Sequence, residues 1–124
     1  MQNTLSKESP QKQIVVALTS TTPGTGKRLA KILVKRRIAA CVTILPSVTS
    51  IYWWERTLQE ETEELLLIKT RQEQIEILKA SITELHEYSV PELMILPVIE
   101  GLEKYCNWII QETTHEEPRR TGRD

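Results

Sequence analysis

The sequence predicts an α+β fold: one antiparallel sheet of four strands with its two main helices on one face, in the order β-α-β-β-α-β, and an extra C-terminal helix after it. Three observations predict it. Short apolar runs rich in β-branched residues alternate with stretches whose apolar residues recur at helical spacing. The two middle runs, residues 39–54 and 58–70, follow one another without a helical stretch between them, so they form a long central hairpin. The chain has 124 residues, one domain's worth, and a domain of that size supports a single core without disulfides.

Residues 1–12 are polar and read as a disordered N-terminal tail. Ile14–Leu18 is a short, β-branched apolar run and the first strand. Thr22 and Pro23 read as an N-cap and first helical residue, and Leu29, Ile32, Leu33 and Arg36 follow at helical spacing. Ala39–Leu45 is the second strand, which Pro46 should bend or end; Thr49–Glu55 continues extended. Glu63–Lys69 is the third. Thr70 and Glu73 have the spacing of a capping box, and Ile75, Leu78, Ile82 and Leu85 line one face of the helix behind it. Leu93–Ile99 is the fourth strand, and Leu102, Tyr105, Cys106 and Ile109 mark the last helix. The folded domain therefore covers residues 13–113. Residues 114–124 form a charged tail in which Arg119, Arg120 and Arg123 read as a solvated end. The order of elements is ferredoxin-like.

The central hairpin is too long for a sheet of this width. It carries Ile51, Tyr52, Trp53 and Trp54 in succession, which puts large apolar area on both faces of one strand. One core cannot cover both, so the chain is expected to associate with itself.

Composition excludes other classes. Lys plus Arg count 16 and Asp plus Glu 17, a formal net charge of -1, so no basic face for nucleic acid is expected. No apolar run approaches the roughly 18 residues of a membrane span, and the polar N-terminus lacks a secretory signal. Cys41 and Cys106 form no C-x-x-C pair and read as reduced thiols, which points to the cytoplasm.

Several separated motifs stand in the order and spacing of a known family. They are Ala39-Ala40-Cys41-Val42, Ser50-Ile51-Tyr52-Trp53-Trp54, Ile68-Lys69-Thr70, His86-Glu87-Tyr88-Ser89-Val90-Pro91-Glu92 and Tyr105-Cys106-Asn107-Trp108-Ile109. Through them, residues 13 to 113 resemble the CutA divalent-cation-tolerance family. The resemblance implies a ferredoxin-like subunit in a homotrimer whose long hairpins pair between subunits. It implies an association with tolerance of copper and other divalent cations, and no enzymatic reaction. Some members are described as binding copper through a histidine in the region of His86, a glutamate matching Glu92 and a cysteine on the first strand. Here the first strand has no cysteine, so the soft ligand that favours Cu(I) is missing, and the expectation is a weak site for Cu or Zn at His86 and Glu92, not required for folding. The bland alternative is that His86 only caps the helix before it.

Tyr52, Trp54, Glu61, Lys69, Tyr88 and Glu92 stand at positions that, in the family's arrangement, gather near clefts between subunits. Aromatic walls with a Lys/Glu pair would suit a small anionic or zwitterionic ligand, the alternative being an interface core with a buried ion pair. Ile51 and Trp53 are assigned to the trimer interface and Trp108 to packing. Cys41, on a central strand, reads as a small buried hydrophobe, with a thiolate role as the sharper alternative, and Cys106 as part of the last helix's apolar stripe. Glu60, Glu61, Glu63 and Glu64 read as a solvated acidic face partly paired with Arg56 or Lys69. The run Thr22–Lys27 lacks two fixed positions of a phosphate loop, glycine at Thr21 and Ser/Thr at Arg28, so nucleotide hydrolysis is not expected; a helix N-terminus beside Lys27 and Arg28 still suits an anion. No nucleophile–base–orienter set is recognisable. The functional expectation is a trimeric protein that binds divalent cations weakly in response to metal ions. The alternative is a trimeric scaffold or signalling-type small-ligand binder with no metal role.

Overall fold

The computed structural model describes residues 13–114. The N-terminal tail expected over residues 1–12 lies outside them. So does the charged tail with Arg119, Arg120 and Arg123, except for Thr114, which closes the last helix. The elements are β1 (Ile14–Thr21), α1 (Gly26–Lys35), β2 (Cys41–Trp54), β3 (Thr57–Arg71), α2 (Ile75–Leu85), β4 (Met94–Pro97) and α3 (Glu103–Thr114). The four strands form one antiparallel sheet in the order β2-β3-β1-β4.

Each face of the sheet has its own core, as period-two alternation along the strands requires. Ala17, Leu66 and Ile68 pack under Leu29 and Leu33 of α1 and Leu78 and Ile82 of α2. On the other face Ile14 and Ala40 meet Cys106 and Ile109 of α3. Among the described residues, that second face is covered only at one end. The register places Leu45 with Leu65, then Leu67 with Leu18 and Met94, in rows across it. Met94 is left 57% exposed.

Local signals were overridden where tertiary contacts supplied a better partner. Helix α1 starts at Gly26, after a turn over residues 23–25, and not at Pro23. The Gly26 N–H donates to Glu64 Oε1 at 2.9 Å, so a carboxylate from β3 does the work expected of Thr22. The capping box at Thr70 and Glu73 does not form: the Thr70 hydroxyl donates to the Ile38 carbonyl at 2.6 Å, and α2 begins at Ile75 after a single 3-10 turn. Pro46 bends β2 without ending it. A bulge between Leu45 and Val48 absorbs the proline, with Ser47 at φ 58°. The fourth strand is shorter than expected, Met94–Pro97.

The overshoot is explicit in the register. β1 reaches only as far as Glu64 on β3, whereas β2 and β3 stay paired to Trp54 and Thr57. Beyond Val48 and Glu63 the chain is a two-stranded ribbon with no third strand beside it among the described residues. It closes on a two-residue turn, Glu55-Arg56, with both residues at positive φ as such hairpins require. Along it Ile51 is 65%, Trp53 70% and Leu58 58% exposed.

Candidate functional site at the ends of β1 and α2

A polar junction lies where the ribbon leaves the sheet. Three hydroxyl residues, Thr19, Ser20 and Thr21, finish β1 and are all buried. Such residues must find partners inside the fold, and for Thr19 and Ser20 the loop after α2 supplies them. The Thr19 hydroxyl donates to the Glu92 carbonyl at 2.6 Å, and the Ser20 hydroxyl to Glu92 Oε1 at 3.1 Å.

His86 ends α2 in extended conformation, and both its ring nitrogens are engaged. The Tyr88 N–H donates to Nδ1 at 3.1 Å, which makes Nδ1 an acceptor. Nε2 lies 2.7 Å from the Ser20 carbonyl, which only accepts, so Nε2 carries the proton. The ring ties the loop to β1; its one lone pair is spent on the Tyr88 amide. Tyr88 packs on it with centroids 4.8 Å apart. The Tyr88 hydroxyl donates to Glu63 Oε2 at 2.6 Å. Burial first, then that bond and the neighbouring carboxylates Glu63 and Glu87, push the Tyr88 phenol well above its usual range. Burial and then the carboxylates Glu61 and Glu63 also raise Tyr52.

The residues singled out in the sequence therefore divide. Glu92, His86 and Tyr88 meet at this junction, with Tyr52 and Glu61 near it on the ribbon. Trp54 sits at the ribbon's tip, 45% exposed, beside Trp53. Lys69 is elsewhere: six residues along β3 from Glu63, about 20 Å away at strand rise. Its Nζ donates to Thr43 Oγ1 at 2.6 Å and approaches Cys41 Sγ at 3.7 Å. Among the described residues of one chain, Lys69 thus forms no ion pair with a glutamate. Cys41 is half-buried and open to Lys69 and Tyr105, so it is not the plain core residue expected. Cys106 is buried in the α3 core. Trp108, assigned to packing, is 41% exposed and stacks on Tyr105.

The acidic run is not a solvated face throughout. Glu63 and Glu64 point to opposite sides of β3. One is 5% exposed against Tyr88, the other caps α1. Glu63, Thr19 and Ser20 are the junction members that sequence reasoning missed. A visible signal existed: three hydroxyl residues in a row closing an otherwise apolar strand.

Among the described residues, no three His, Cys, Asp or Glu side chains gather into a ligand set. With the His86 lone pair engaged and Glu92 Oε1 accepting from Ser20, the pair does not form a tight resident metal centre within one chain.

Sheet order, overshooting hairpin and appended helix define a ferredoxin-like α+β domain built to present a long ribbon. Residues 14–112 match the family model described as CutA1 divalent ion tolerance protein. The chain is 44% identical over 100 residues to the protein CutA, chloroplastic, of Arabidopsis thaliana, covering 81% of this chain and 55% of that one. It is 41% identical over 99 residues to the divalent-cation tolerance protein CutA of Thermus thermophilus, covering 80% of this chain and 96% of that one. It thus spans about half the length of the plant relative and nearly all of the bacterial one. The crystal structure of CutA1 from Oryza sativa superposes with a TM-score of 0.80 at 39% identity, covering 85% of this chain and 97% of that one. The chain belongs to the CutA1 divalent ion tolerance family.

Proposed function

We propose that the protein works as a homotrimer that takes up divalent cations, copper or zinc, weakly and reversibly, and binds without catalysing a reaction. The observation that carries the proposal is the apolar ribbon. Ile51, Trp53 and Leu58 stand more than half exposed in a single chain, next to an uncovered sheet face bearing Met94. Apolar surface of this extent, rimmed by charged residues, is the mark of an association site. The number three rests on the family resemblance. The metal role rests on family membership, with Glu92 as the accessible donor. His86 joins only if the Tyr88 amide bond is exchanged for the metal, which keeps affinity low. The free thiols Cys41 and Cys106 suit a reducing compartment such as the cytoplasm.

Native mass spectrometry of the apo protein, followed by titration with Cu(II) and Zn(II), tests both halves. A trimer taking up about one ion per chain, lost on Glu92→Ala and weakened on His86→Ala, is expected. A trimer that takes up no ion removes the metal half and leaves a scaffold or small-ligand binder. A monomer at micromolar concentration would remove the assembly half.

A further inference from the structure

A cavity lies between the start of α1 and the end of α2. Its volume is about 170 Å³. That is room for five or six waters at about 30 Å³ each, and below the range of drug-sized ligand pockets. Any occupant other than water is therefore small. Four features describe that occupant's chemistry.

First, the cavity sits at the N-terminus of a ten-residue helix, where N–H groups and the macrodipole favour negative charge. Of the opening amides, Gly26 donates to Glu64 and Leu29 to the Thr25 carbonyl, which leaves Lys27 and Arg28 for an acceptor from outside the helix. Second, Thr21 lines the cavity, is 2% exposed, and its hydroxyl has no partner among the described residues. A buried orphan hydroxyl is uncommon in a native fold, and a ligand oxygen in the cavity would satisfy it. Third, the cavity carries opposite charges that do not meet. Arg28 and Glu87 both line it, yet no ion pair joins them. The Glu87 carboxylate is held instead by the Thr22 hydroxyl. Fourth, Leu29, Ile32 and Leu85 supply an apolar wall.

A plain anion would use the helix end and Arg28 but would face the Glu87 carboxylate. A plain cation would face Arg28 and the helix dipole. A molecule carrying both charges a few bonds apart, with a short apolar group, satisfies all four features. We infer that this cavity binds a small α-amino acid, its carboxylate toward Arg28, the Thr21 hydroxyl and the α1 N-terminus, and its ammonium toward Glu87. The site lies within one chain, and His86, which also belongs to the polar junction, is among its lining residues.

The test uses the full chain labelled with ¹⁵N, titrated with L-valine. Two fragments serve as controls: 3-methylbutanoate, which lacks the amine, and isobutylamine, which lacks the carboxylate. Inorganic phosphate is the third. The expected result is saturable shifts of the Lys27 and Arg28 amides with valine, at an affinity about tenfold or more above either fragment. Arg28→Gln and Glu87→Gln, both at exposed positions that leave the fold intact, should each weaken valine by a similar factor, and Thr21→Val by less. Three outcomes would overturn the inference. One is no saturable shift with valine at millimolar concentration, which leaves a cavity holding only water. Another is phosphate or 3-methylbutanoate binding as tightly as valine and gaining from Glu87→Gln, which makes this a plain anion site. The third is shifts confined to other residues.

Discussion

Replacing Tyr88 with Phe removes one hydroxyl and keeps the ring that packs on His86. The lost bond is the 2.6 Å contact to Glu63 Oε2, and Glu63 is 5% exposed. The partner left behind is a carboxylate with almost no access to water. A hydrogen bond to a charged group contributes about 1.5–3 kcal/mol, and the desolvated carboxylate keeps the loss from being recovered. For a domain near 100 residues, each kcal/mol moves Tm by about 4–8 °C, so Tyr88→Phe should lower Tm by roughly 10 °C. Thermal and urea denaturation followed by circular dichroism measure this at one fixed protein concentration, because the proposed self-association would make Tm concentration-dependent. A double-mutant cycle with Glu63→Ala isolates the pair. A loss under about 0.5 kcal/mol, or a coupling energy that small, would refute the reasoning. The pH dependence gives an independent arm. The folded Tyr88 keeps its proton above the unfolded value of 10.0. Above that pH the unfolded chain has released a proton the native chain retains, so stability falls as pH rises toward the folded value. The Phe variant should lose part of that alkaline slope; the raised Tyr52 and Tyr105 keep the rest.

Leu58→Glu should leave the single chain's fold stable to within about 0.5 kcal/mol, since the side chain is 58% exposed. It should nonetheless dissociate the proposed homotrimer, which sedimentation velocity reads directly; an unchanged oligomer would remove the ribbon from the interface. Gly26→Ala should destabilise by about 1–3 kcal/mol despite Ala's better helix propensity. Its Cβ would lie 2.7 Å from Glu64 Oε1 and 2.9 Å from Cδ1 of the fully buried Leu66. A gain in urea midpoint would contradict that. Thr70→Val should cost about 1–3 kcal/mol, because it leaves the Ile38 carbonyl without its donor. Equal stability of the two proteins would show that the carbonyl finds another partner.

The candidate site was half legible in the chain. His86, Tyr88 and Glu92 lie within one short loop, and their side-chain types announce polar chemistry. Glu63 and the Thr19–Thr21 hydroxyls are distant in sequence, and they become neighbours of that loop only through the β1–β3 register and the return of α2. Sequence adjacency grouped Glu63 and Glu64 as one acidic face. The pleat of β3 separates them, giving one to Tyr88 and the other to Gly26. Lys69 was grouped with Glu61 by expected role. Strand rise alone holds the two far apart within one chain.

The sequence by itself determined the order of elements, the helical faces and the overshoot of the hairpin. Each rests on periodicity and length, which act over a few residues and need no partner elsewhere. The tertiary structure alone decided where α1 and α2 begin, how β2 passes Pro46, and what His86 does with its two nitrogens. Those outcomes depend on which donor and acceptor end up buried side by side. Thr70 serves the Ile38 carbonyl and not a helix cap because a buried carbonyl left unpaired costs more than a solvated helix end. The Gly26 amide takes the Glu64 carboxylate because packing α1 on β3 leaves that oxygen within hydrogen-bond reach.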